Sequence, residues 1–218
     1  EAVVERIDIK HQLYSQIDKI RNPNSIVSSN TSTIPLSVLT EEMSDSMKSD
    51  FCITHFFNPV RFMRLLEIVE TPQINVKKII ALRDFCQNEL GKGIVNCNDT
   101  PGFIGNRIGV YAMQVAMYEA LERGLPVEIA DALFGRPLGI PKTGVFGLYD
   151  LIGIDLMKDV LASFKKELQE DDPFMDVVKP HPIVEQLLDK GYTGNKGLGG
   201  FYKAKIVDGN EITNCIVN

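Results

Sequence analysis

The chain has 218 residues, of which 44% are hydrophobic and 24% are charged, and its formal net charge is −6. This composition is typical of a soluble globular protein with one large or two modest domains, and the apolar runs are too short for a membrane-spanning helix. Scattered Lys and Arg residues and a net negative charge exclude a general nucleic-acid surface, because binding to phosphate backbones needs clustered cations. Residues 1–20 show no signal-peptide pattern.

The four cysteines show neither C-x-x-C spacing nor a dense disulfide framework. Three of them lie in apolar surroundings and are predicted to be buried thiols, which favours a reducing compartment. With three histidines and no Cys/His cluster, the sequence predicts no metal site. The cysteines are Cys52, Cys86, Cys97 and Cys215.

The chain opens with a short apolar run, Ala2–Val4, which predicts the end of a strand. A helix is predicted over residues 5–20, since apolar residues recur there at helical spacing. Its predicted inward positions are Ile7, Tyr14, Ile17 and Ile20. No initiator Met precedes this region, so we expect the sequence to be a fragment of a longer chain.

A β-branched run at Ser25–Asn30 predicts a short buried strand that ends in small polar residues and is followed by Thr31, Ser32 and Thr33. In open α/β sheets, ligands bind beyond the carboxyl ends of strands, which makes this polar stretch a candidate ligand contact. An ordinary strand-to-helix loop, with Ser and Thr as caps, explains the same residues equally well. A short helix is predicted over residues 37–47.

The next two predicted strands, Phe51–His55 and Leu65–Val69, carry a histidine and a glutamate. If they pair antiparallel about the Pro59–Arg64 connection, His55 faces Glu67. A carboxylate on one ring nitrogen fixes the imidazole tautomer, raises its basicity and leaves the other nitrogen free to take a proton. Considered alone, however, residues of these types are more often a structural histidine and an exposed glutamate.

A helix over Asn75–Leu90 is predicted to have a broad apolar face and to end at Gly91. The residues of this face are Val76, Ile79, Ile80, Leu82, Phe85 and Leu90. One more short strand is predicted over residues 94–97.

The pattern changes at Asn98–Phe103, and beyond it only helices are predicted up to about residue 190. Asp99 or Thr100 is a candidate cap for a long helix that has Pro101 in its first turn and extends to Gly124. The apolar stripe of this helix is Ile104, Ile108, Tyr111, Val115 and Tyr118.

Three further helices are predicted, over residues 127–134, over residues 147–168 with a break at Gly153, and over residues 182–190. A loop dense in glycine and proline, 135–144, separates the first two, and a glycine-rich stretch, 191–200, follows the last. Near the end of the chain, Asp208-Gly209 between apolar residues predicts a hairpin.

Four stretches carry the most informative residues of the chain: Ser29-Asn30-Thr31-Ser32, His55-Phe56-Phe57-Asn58-Pro59-Val60 with Glu67 after it, Asp99-Thr100-Pro101-Gly102-Phe103-Ile104-Gly105-Asn106-Arg107, and Gly199-Gly200-Phe201-Tyr202. In this order and spacing they resemble the L-3-hydroxyacyl-CoA dehydrogenase family, from the first residue to about residue 203. The resemblance implies an α/β region followed by an all-α region. Residues 1–98 would be the second half of a Rossmann-like NAD-binding domain, 99–203 a helical dimerisation and substrate domain, and 204–218 a tail that can form a hairpin.

The resemblance also implies a function, which is NAD-dependent oxidation of L-3-hydroxyacyl-CoA to 3-oxoacyl-CoA in fatty-acid β-oxidation. His55 would be the general base and Glu67 its partner, while Ser32 and Asn106 would hydrogen-bond the reacting oxygen of the substrate. These roles fit the chemistry, because charge builds on that oxygen as the C–H bond breaks. A helix-surface asparagine is the alternative for Asn106. The implied NAD contacts are Glu5, Lys10, Ser32, Asn58 and Lys196.

Two departures from the family pattern stand out. The strand, G-x-G-x-x-G turn and helix that cradle the NAD pyrophosphate do not occur in residues 1–218, so we expect this polypeptide alone to bind NAD poorly and to be nearly inactive. Val145 stands where the family usually has a proline, in a loop that helps to shape the interdomain cleft and dimer contacts. The tail suggests continuation into a longer protein, as in multifunctional β-oxidation proteins.

We therefore expect an acyl-CoA substrate, a homodimer, no nucleic-acid partner and no membrane span. The location would be the cytoplasm for a bacterial protein or the mitochondrial matrix for a eukaryotic one. The alternative is a non-catalytic helical dimerisation or interaction module that has lost its cofactor-binding half. The presence of Ser32, His55, Glu67 and Asn106 favours the enzyme, since a purely structural remnant does not need this set.

Overall fold

The computed structural model describes residues 1–139, 142–179, 181–207 and 210–216, and it divides the chain into two compact units, Glu1–Arg107 and Ile108–Asn218. The predicted change from α/β to helical structure is confirmed. Among the described residues, no helix combines the length and apolar character needed to cross a bilayer.

The first unit contains a four-stranded sheet with the order β1-β2-β3-β4. Strands β1 and β2 are parallel, β2 and β3 antiparallel, and β3 and β4 parallel. The elements are α1 (Ile7–Ile20), β1 (Val27–Ser29), α2 (Leu36–Leu39), α3 (Asp45–Ser49), β2 (Phe51–Phe56), β3 (Leu65–Glu70), α4 (Val76–Asp84), a π-helical turn (Phe85–Glu89) and β4 (Gly93–Asn96).

Strand β2 is buried from Phe51 to His55, which is the pattern of a strand covered on both faces. Its side chains alternate between two apolar clusters. Phe51 and Ile53 pack in one cluster with Tyr14, whereas Cys52 packs in the other with Ile68. This alternation fixes the register of β2 and β3, because a slip of one residue would exchange the two faces.

Three predictions for the N-terminal part of this unit are wrong. Residues 2–4 form no strand, since they are exposed and pair with no neighbouring strand. Ile20, predicted to point inward, is the last residue of α1 and is 83% exposed. The helix expected over residues 37–47 is two short helices, because Ser44 accepts a hydrogen bond from Met47 N and so starts α3 as a new helix.

The predicted apolar face of the helix over residues 75–90 is also wrong. Ile79 is buried and Leu82 half-buried, but Val76, Ile80, Phe85 and Leu90 are exposed. Cys86, seven residues after Ile79 and therefore on the same helical face, is buried, whereas Phe85 is 51% exposed. Strand β4 lies where a strand was expected.

The second unit is built from helices and one hairpin. The long helix α5 (Gly105–Glu122) begins in the first unit and continues into the second. The other elements are α6 (Val127–Leu133), a 3₁₀ turn (Arg136–Leu138), α7 (Phe146–Ile152), α8 (Ile154–Glu167), a 3₁₀ turn (Pro173–Asp176), α9 (Pro182–Asp189), β5 (Tyr202–Val207) and β6 (Asn210–Cys215). The predicted break at Gly153 is confirmed, and its φ of +111° is one that glycine adopts readily.

The predicted start and inward stripe of α5 are both wrong. The helix begins at Gly105, and Asp99 instead accepts hydrogen bonds from Leu36 N and Ser37 N, at the start of α2. Most of the expected inward stripe is exposed. The helix α5 is apolar on more than one face, and the core packs against a different face from the expected one. The buried residues are Val110, Met113, Gln114, Ala116, Met117 and Ala120.

Two buried carboxylates organise the second unit. Asp150 accepts hydrogen bonds from Phe201 N and Tyr202 N, both at 2.8 Å, and so holds the end of the glycine-rich stretch. Asp131 accepts from two N–H groups at the start of α7 and from the Tyr202 hydroxyl. A Cβ on Gly200 would overlap Asp150 Oδ1, so this position requires glycine.

Strands β5 and β6 pair antiparallel from Tyr202 opposite Cys215 to Val207 opposite Asn210. The predicted turn residues, Asp208 and Gly209, lie outside the described residues. Val145, at the position where a proline is usual in the family, is buried at the start of α7.

Candidate active site

His55 and Glu67 are directly opposite each other in the β2–β3 pair, as predicted. His55 Nδ1 lies 2.7 Å from Glu67 Oε2, and both side chains are almost completely buried. An ionised carboxylate can only accept, so Nδ1 carries the proton and the lone pair is on Nε2. The lone pair of Nε2 therefore lies on the side of the ring away from Glu67.

The second oxygen of Glu67 is bound to the start of α5. Oε1 accepts hydrogen bonds from Ile104 N at 2.9 Å and from Gly105 N at 2.6 Å, and Cys97 Sγ lies 3.6 Å away. Free N–H groups and the partial positive charge of a helix N-terminus favour an anion at this position.

These contacts act on the pKa of Glu67. Burial raises the pKa of this carboxyl, but the hydrogen bonds from His55, Gly105 and Ile104 together outweigh burial and hold the pKa below its ordinary value. Glu67 is therefore an anion at neutral pH. Sequence reasoning missed the contact with α5, because it assigned the cap of this helix to Asp99 or Thr100.

Ser32 occupies the other side of the imidazole. Its Oγ lies 3.0 Å from His55 Nε2. The contact arises because β1 and β2 are parallel, so the loop after β1 reaches the end of β2 where His55 stands. Asn30 stabilises the same junction, as its Oδ1 accepts a hydrogen bond from Phe56 N. The structure thus brings Ser32, His55 and Glu67 into one hydrogen-bonded row.

Asn106 lies outside this hydrogen-bonded row. It lies in the first turn of α5, next to Gly105, and is half-buried. Within the described residues its amide has no hydrogen-bond partner, and the side-chain hydrogen bonds of Ser32 and His55 do not include it. Phe57 packs against both His55 and Gly105. Its ring centroid is 4.5 Å from that of His55, and a Cβ on Gly105 would lie 2.5 Å from the Phe57 ring.

The expected NAD contacts have different surroundings. Glu5 is exposed and accepts a hydrogen bond from Thr31 Oγ1 at 2.8 Å. Asn58 is exposed in the loop after β2. Lys196, in the second unit, is exposed and forms an ion pair with Asp155 at 2.7 Å.

Lys10, another implied NAD contact, differs from these exposed residues. It is fully buried, and its Nζ lies 2.8 Å from Glu1 Oε1 and 3.8 Å from Glu5 Oε1. Tyr14 and Ser29 also donate hydrogen bonds to Glu1. Burial raises the pKa of Glu1, but these partners together lower it to about 2. Lys10 is therefore committed to a buried ion pair.

The thiols and metal-binding groups add no second site. Cys52 and Cys86 are buried, and burial raises the pKa of Cys52 to about 12, which makes it a poor nucleophile. Cys97 and Cys215 are half-buried. Across the described ranges, no three His, Cys, Asp or Glu residues cluster as metal ligands.

The fold and site define a class of protein: an α/β unit with a buried His–Glu pair at its strand ends, followed by a helical unit. Residues 1–100 match the family model described as 3-hydroxyacyl-CoA dehydrogenase, NAD binding domain. Residues 102–204 match the model described as 3-hydroxyacyl-CoA dehydrogenase, C-terminal domain. The chain belongs to the 3-hydroxyacyl-CoA dehydrogenase family.

Similar proteins include a protein of Rickettsia felis named as a fatty acid oxidation complex trifunctional enzyme, 41% identical over 99% of this chain and 30% of its own length. The mitochondrial hydroxyacyl-coenzyme A dehydrogenase of Rattus norvegicus is 35% identical over 94% of this chain and 63% of its own length. The crystal structure of (S)-3-hydroxybutyryl-CoA dehydrogenase PaaH1 from Ralstonia eutropha has a TM-score of 0.75 and is 31% identical, covering 90% of this chain and 66% of that one. The chain thus spans between about a third and two thirds of these relatives.

Proposed function

We propose that the site of His55, Glu67 and Ser32 oxidises the 3-hydroxyl group of an L-3-hydroxyacyl-CoA to a ketone, as a step of fatty-acid β-oxidation. The observation that carries this proposal is the hydrogen-bonded row from Glu67 through His55 to Ser32. The names of the relatives supply the substrate class. The row supplies a base and a hydroxyl-binding position within hydrogen-bond reach of it.

The proton path follows from the hydrogen bonds. His55 Nε2 takes the proton of the 3-hydroxyl, and the imidazolium that results is stabilised by the Glu67 anion at Nδ1. In the reverse direction the protonated His55 returns this proton to the ketone oxygen. Burial of the pair strengthens this stabilisation, since water screens the two charges poorly there.

The reacting oxygen needs donors of its own, because it gains negative charge as the proton leaves. A substrate hydroxyl would bind at His55 Nε2. Ser32 Oγ already lies at hydrogen-bond distance from this nitrogen. We propose that Ser32 donates to this oxygen and that the unpartnered amide of Asn106 is the second donor.

NAD, when bound, supplies the hydride acceptor of this reaction. The polar groups after β1 suit the nicotinamide end of NAD, since Ser32 faces the base and the exposed Glu5 carboxylate can accept from ribose hydroxyls. We propose that Asn58 and Lys196 also contact the cofactor, and that Lys10 acts indirectly by holding Glu5 and Glu1 in place. Residues 1–218 contain no G-x-G-x-x-G turn, so we propose that they alone bind NAD weakly.

The test is His55→Gln in the protein at its full natural length, with NADH oxidation by acetoacetyl-CoA as the assay. We expect kcat to fall by about 10³-fold, within the range for loss of a general base. His11→Gln is the matched control, because His11 lies on α1, where its ring nitrogens contact Val38 O and Glu42. Activity of His55→Gln within tenfold of the unchanged protein would overturn the proposal.

We also propose that the protein is a homodimer that associates through α5. Ile108, Tyr111 and Val115 lie on one helical face and are exposed, Ile108 by 64%. Sedimentation velocity should show a dimer that Ile108→Asp dissociates and Arg123→Gln does not, since Arg123 binds only Glu119 on the surface. A monomer before any substitution would contradict this.

The named relatives are bacterial and mitochondrial, and we propose the bacterial cytoplasm or the mitochondrial matrix as the location of this protein. Cys52, Cys86 and Cys97 form no disulfide, which fits a reducing compartment. Thiol titration of the denatured protein, purified under alkylating conditions, should find four reduced cysteines.

A further inference from the structure

The segment that connects β4 to α5 contains an unusual backbone conformation. Among the residues that the structure describes, Phe103 is the one residue other than glycine with a positive φ, at +48°. A bulky L-residue rarely adopts this left-handed conformation, because its Cβ comes too close to the following carbonyl oxygen. Such strain persists only where the surrounding contacts impose it, so Phe103 has to be held in place by its neighbours.

The chain enters this conformation through a tight turn. Phe103 N donates a hydrogen bond to Thr100 O at 2.9 Å, and Pro101 and Gly102 lie between them. Gly102 has a φ of +71°, and proline followed by a left-handed glycine is the pattern of a type II turn. A turn of this type sets the conformation of its two central residues only. The left-handed conformation of Phe103 therefore depends on the contacts that follow it.

The two residues after Phe103 bind the partner of His55. Ile104 N lies 2.9 Å and Gly105 N 2.6 Å from Glu67 Oε1, so two successive N–H groups converge on one oxygen. Successive N–H groups at a left-handed residue form a concave site for an anion. Since the Glu67 side chain is completely buried, these N–H groups replace the water that an exposed carboxylate would bind.

The side chain of Phe103 supplies packing that glycine would lack. Glycine adopts a left-handed φ without strain but would leave the space of the ring empty. Phe103 is 3% exposed and packs in the apolar cluster with Leu36 and Leu39, and its ring centroid is 5.6 Å from that of His55. These contacts stabilise the strained residue and hold it next to the base.

We propose that Phe103 is a positioning residue of the proposed reaction, since its left-handed backbone directs two N–H groups to the Glu67 carboxylate. This inference rests on the proposed function, in which Glu67 is the partner of the base. The two donors stabilise the anion, and a Glu67 without them would share or hold a proton more readily. The His55–Glu67 pair would then take up a proton at higher pH, which removes the lone pair on Nε2.

The test compares Phe103→Leu, Phe103→Ile and Phe103→Gly in the full-length protein. Leucine and isoleucine have the same number of atoms, but isoleucine is branched at Cβ and tolerates a positive φ least. Because the inference concerns backbone conformation, we expect Phe103→Ile to be the most impaired. Phe103→Gly should resemble Phe103→Leu in its pH profile, since glycine adopts this φ readily, although its stability should be lower.

The activity readout is the pH profile of kcat/KM for oxidation of L-3-hydroxybutyryl-CoA by NAD. In Phe103→Ile the acid limb should move to higher pH, and kcat/KM on that limb should be about tenfold below that of Phe103→Leu, as for loss of buried hydrogen bonds to a charged group. The control is the same pair of substitutions at Phe51, which packs in the same cluster but lies in β2, where branching at Cβ is favoured. Phe51→Ile should be no less active than Phe51→Leu.

A second readout does not depend on turnover. Hydrogen exchange of the Ile104 and Gly105 amides in the 218-residue chain should be slow in Phe103→Leu and Phe103→Gly, and about tenfold faster in Phe103→Ile, because these amides lose their acceptor. In ¹⁵N NMR, the His55 imidazole should take up its proton at higher pH in Phe103→Ile than in the other two variants.

The titratable neighbours of Glu67 allow this shift to be assigned. Within the described residues, the titratable side chains in contact with its carboxylate are His55 and Cys97, whose Sγ lies 3.6 Å from Oε1. Burial raises the pKa of Cys97 to about 12, so its thiol stays protonated on the acid limb. A shift of that limb therefore reports on the His55–Glu67 pair.

The outcomes separate this inference from the proposed function. Equal acid limbs and equal amide exchange in Phe103→Leu and Phe103→Ile would overturn the inference and leave the proposed function standing. An acid limb that moves most in Phe103→Gly would overturn it as well, because the bulk of the ring would then matter and not the backbone. An unchanged full-length protein that does not oxidise L-3-hydroxybutyryl-CoA, although its amides respond as expected, would overturn the proposed function instead.

Discussion

Glu67 connects His55 to Gly105: one carboxylate oxygen lies 2.7 Å from His55 Nδ1, and the other accepts the N–H of Gly105 at 2.6 Å. One anion therefore sets the tautomer of His55 and contacts the start of α5. The helix begins next to Asn106, so the proposed base and the proposed amide donor are both positioned by the same carboxylate.

Glu67→Gln should separate the electrostatic role of this residue from its role in packing. The amide oxygen can still accept from the start of α5, but the NH₂ group then faces Nδ1 and forces the proton onto Nε2, the nitrogen that must act as base. We expect kcat/KM to fall about 10²- to 10⁴-fold, as for other residues that orient a catalytic histidine. ¹⁵N NMR of His55 would detect the change of tautomer.

The control for this variant is Glu70→Gln, on the same strand, where Glu70 pairs with Arg83. It should keep both the activity and the His55 tautomer. Retained activity in Glu67→Gln would show that another group orients the imidazole.

Ser32→Ala should lower kcat by about 10- to 10³-fold, since loss of a single donor to a developing oxyanion has effects of this size. KM should change less, because the hydrogen bond strengthens as charge develops on oxygen. Steady-state kinetics with acetoacetyl-CoA would test this, with Ser37→Ala on α2 as the matched control. A variant with unchanged kcat and raised KM would assign Ser32 to ground-state binding only.

Lys10→Met should destabilise the first unit by about 3 kcal/mol, because it leaves the buried Glu1 carboxylate without its cationic partner. Urea unfolding monitored by tyrosine fluorescence would measure the loss. Arg6→Gln is the control: Arg6 pairs with Asp8 at the surface, and the unfolding midpoint should not change. Equal stability of the Lys10→Met variant would mean that Tyr14 and Ser29 hold Glu1 without help.

Asp150 should make the second unit less stable as pH rises from about 4 to about 6. Burial raises the pKa of this carboxyl from 3.8 to about 6, while in the unfolded chain it ionises at its ordinary value. The folded state therefore binds more protons in this window, so the free energy of unfolding decreases with rising pH, by at most about 3 kcal/mol from this group.

Hydrogen exchange of the Phe201 and Tyr202 amides, which donate to Asp150, would report this change locally. The slope between pH 4 and pH 6 should flatten in Asp150→Asn and persist in Asp189→Asn, where the carboxyl is exposed at the end of α9. A slope of opposite sign would show that the two N–H donors outweigh burial.

Gly200→Ala should destabilise the second unit by about 2 kcal/mol or more, because the added Cβ would overlap Asp150 Oδ1. Gly109→Ala is the matched control. Nothing lies within 4 Å of a Cβ at this position on α5, so alanine should stabilise the helix by about 0.5–1 kcal/mol. Thermal unfolding of the two variants should shift in opposite directions.

The sequence predicted the features that depend on local periodicity. The apolar runs of β2 and β3 predicted two strands, and antiparallel pairing about the Pro59–Arg64 connection, on which the meeting of His55 with Glu67 depended, is the arrangement found. Gly153 could be recognised as a helix break because it is a glycine, the residue that tolerates the positive φ found there.

Features that depend on distant contacts could not be predicted. Asp99 caps α2, 63 residues earlier in the chain, although its local sequence equally favours a cap for the helix that follows it. Lys10 is a surface residue by composition, and only its ion pair with Glu1 allows it to be buried. The inward face of α5 was missed because two of its stripes are apolar and only packing selects between them.

The contact between Gly200 and Asp150 joins positions 50 residues apart. The carboxylate occupies the space that a side chain at position 200 would need, and without that carboxylate the N–H groups of Phe201 and Tyr202 would lose their acceptor. We therefore expect the two positions to be constrained as a pair during evolution. We expect relatives that lack an acid at position 150 to have drifted at position 200, whereas relatives that keep the acid should tolerate no residue but glycine there.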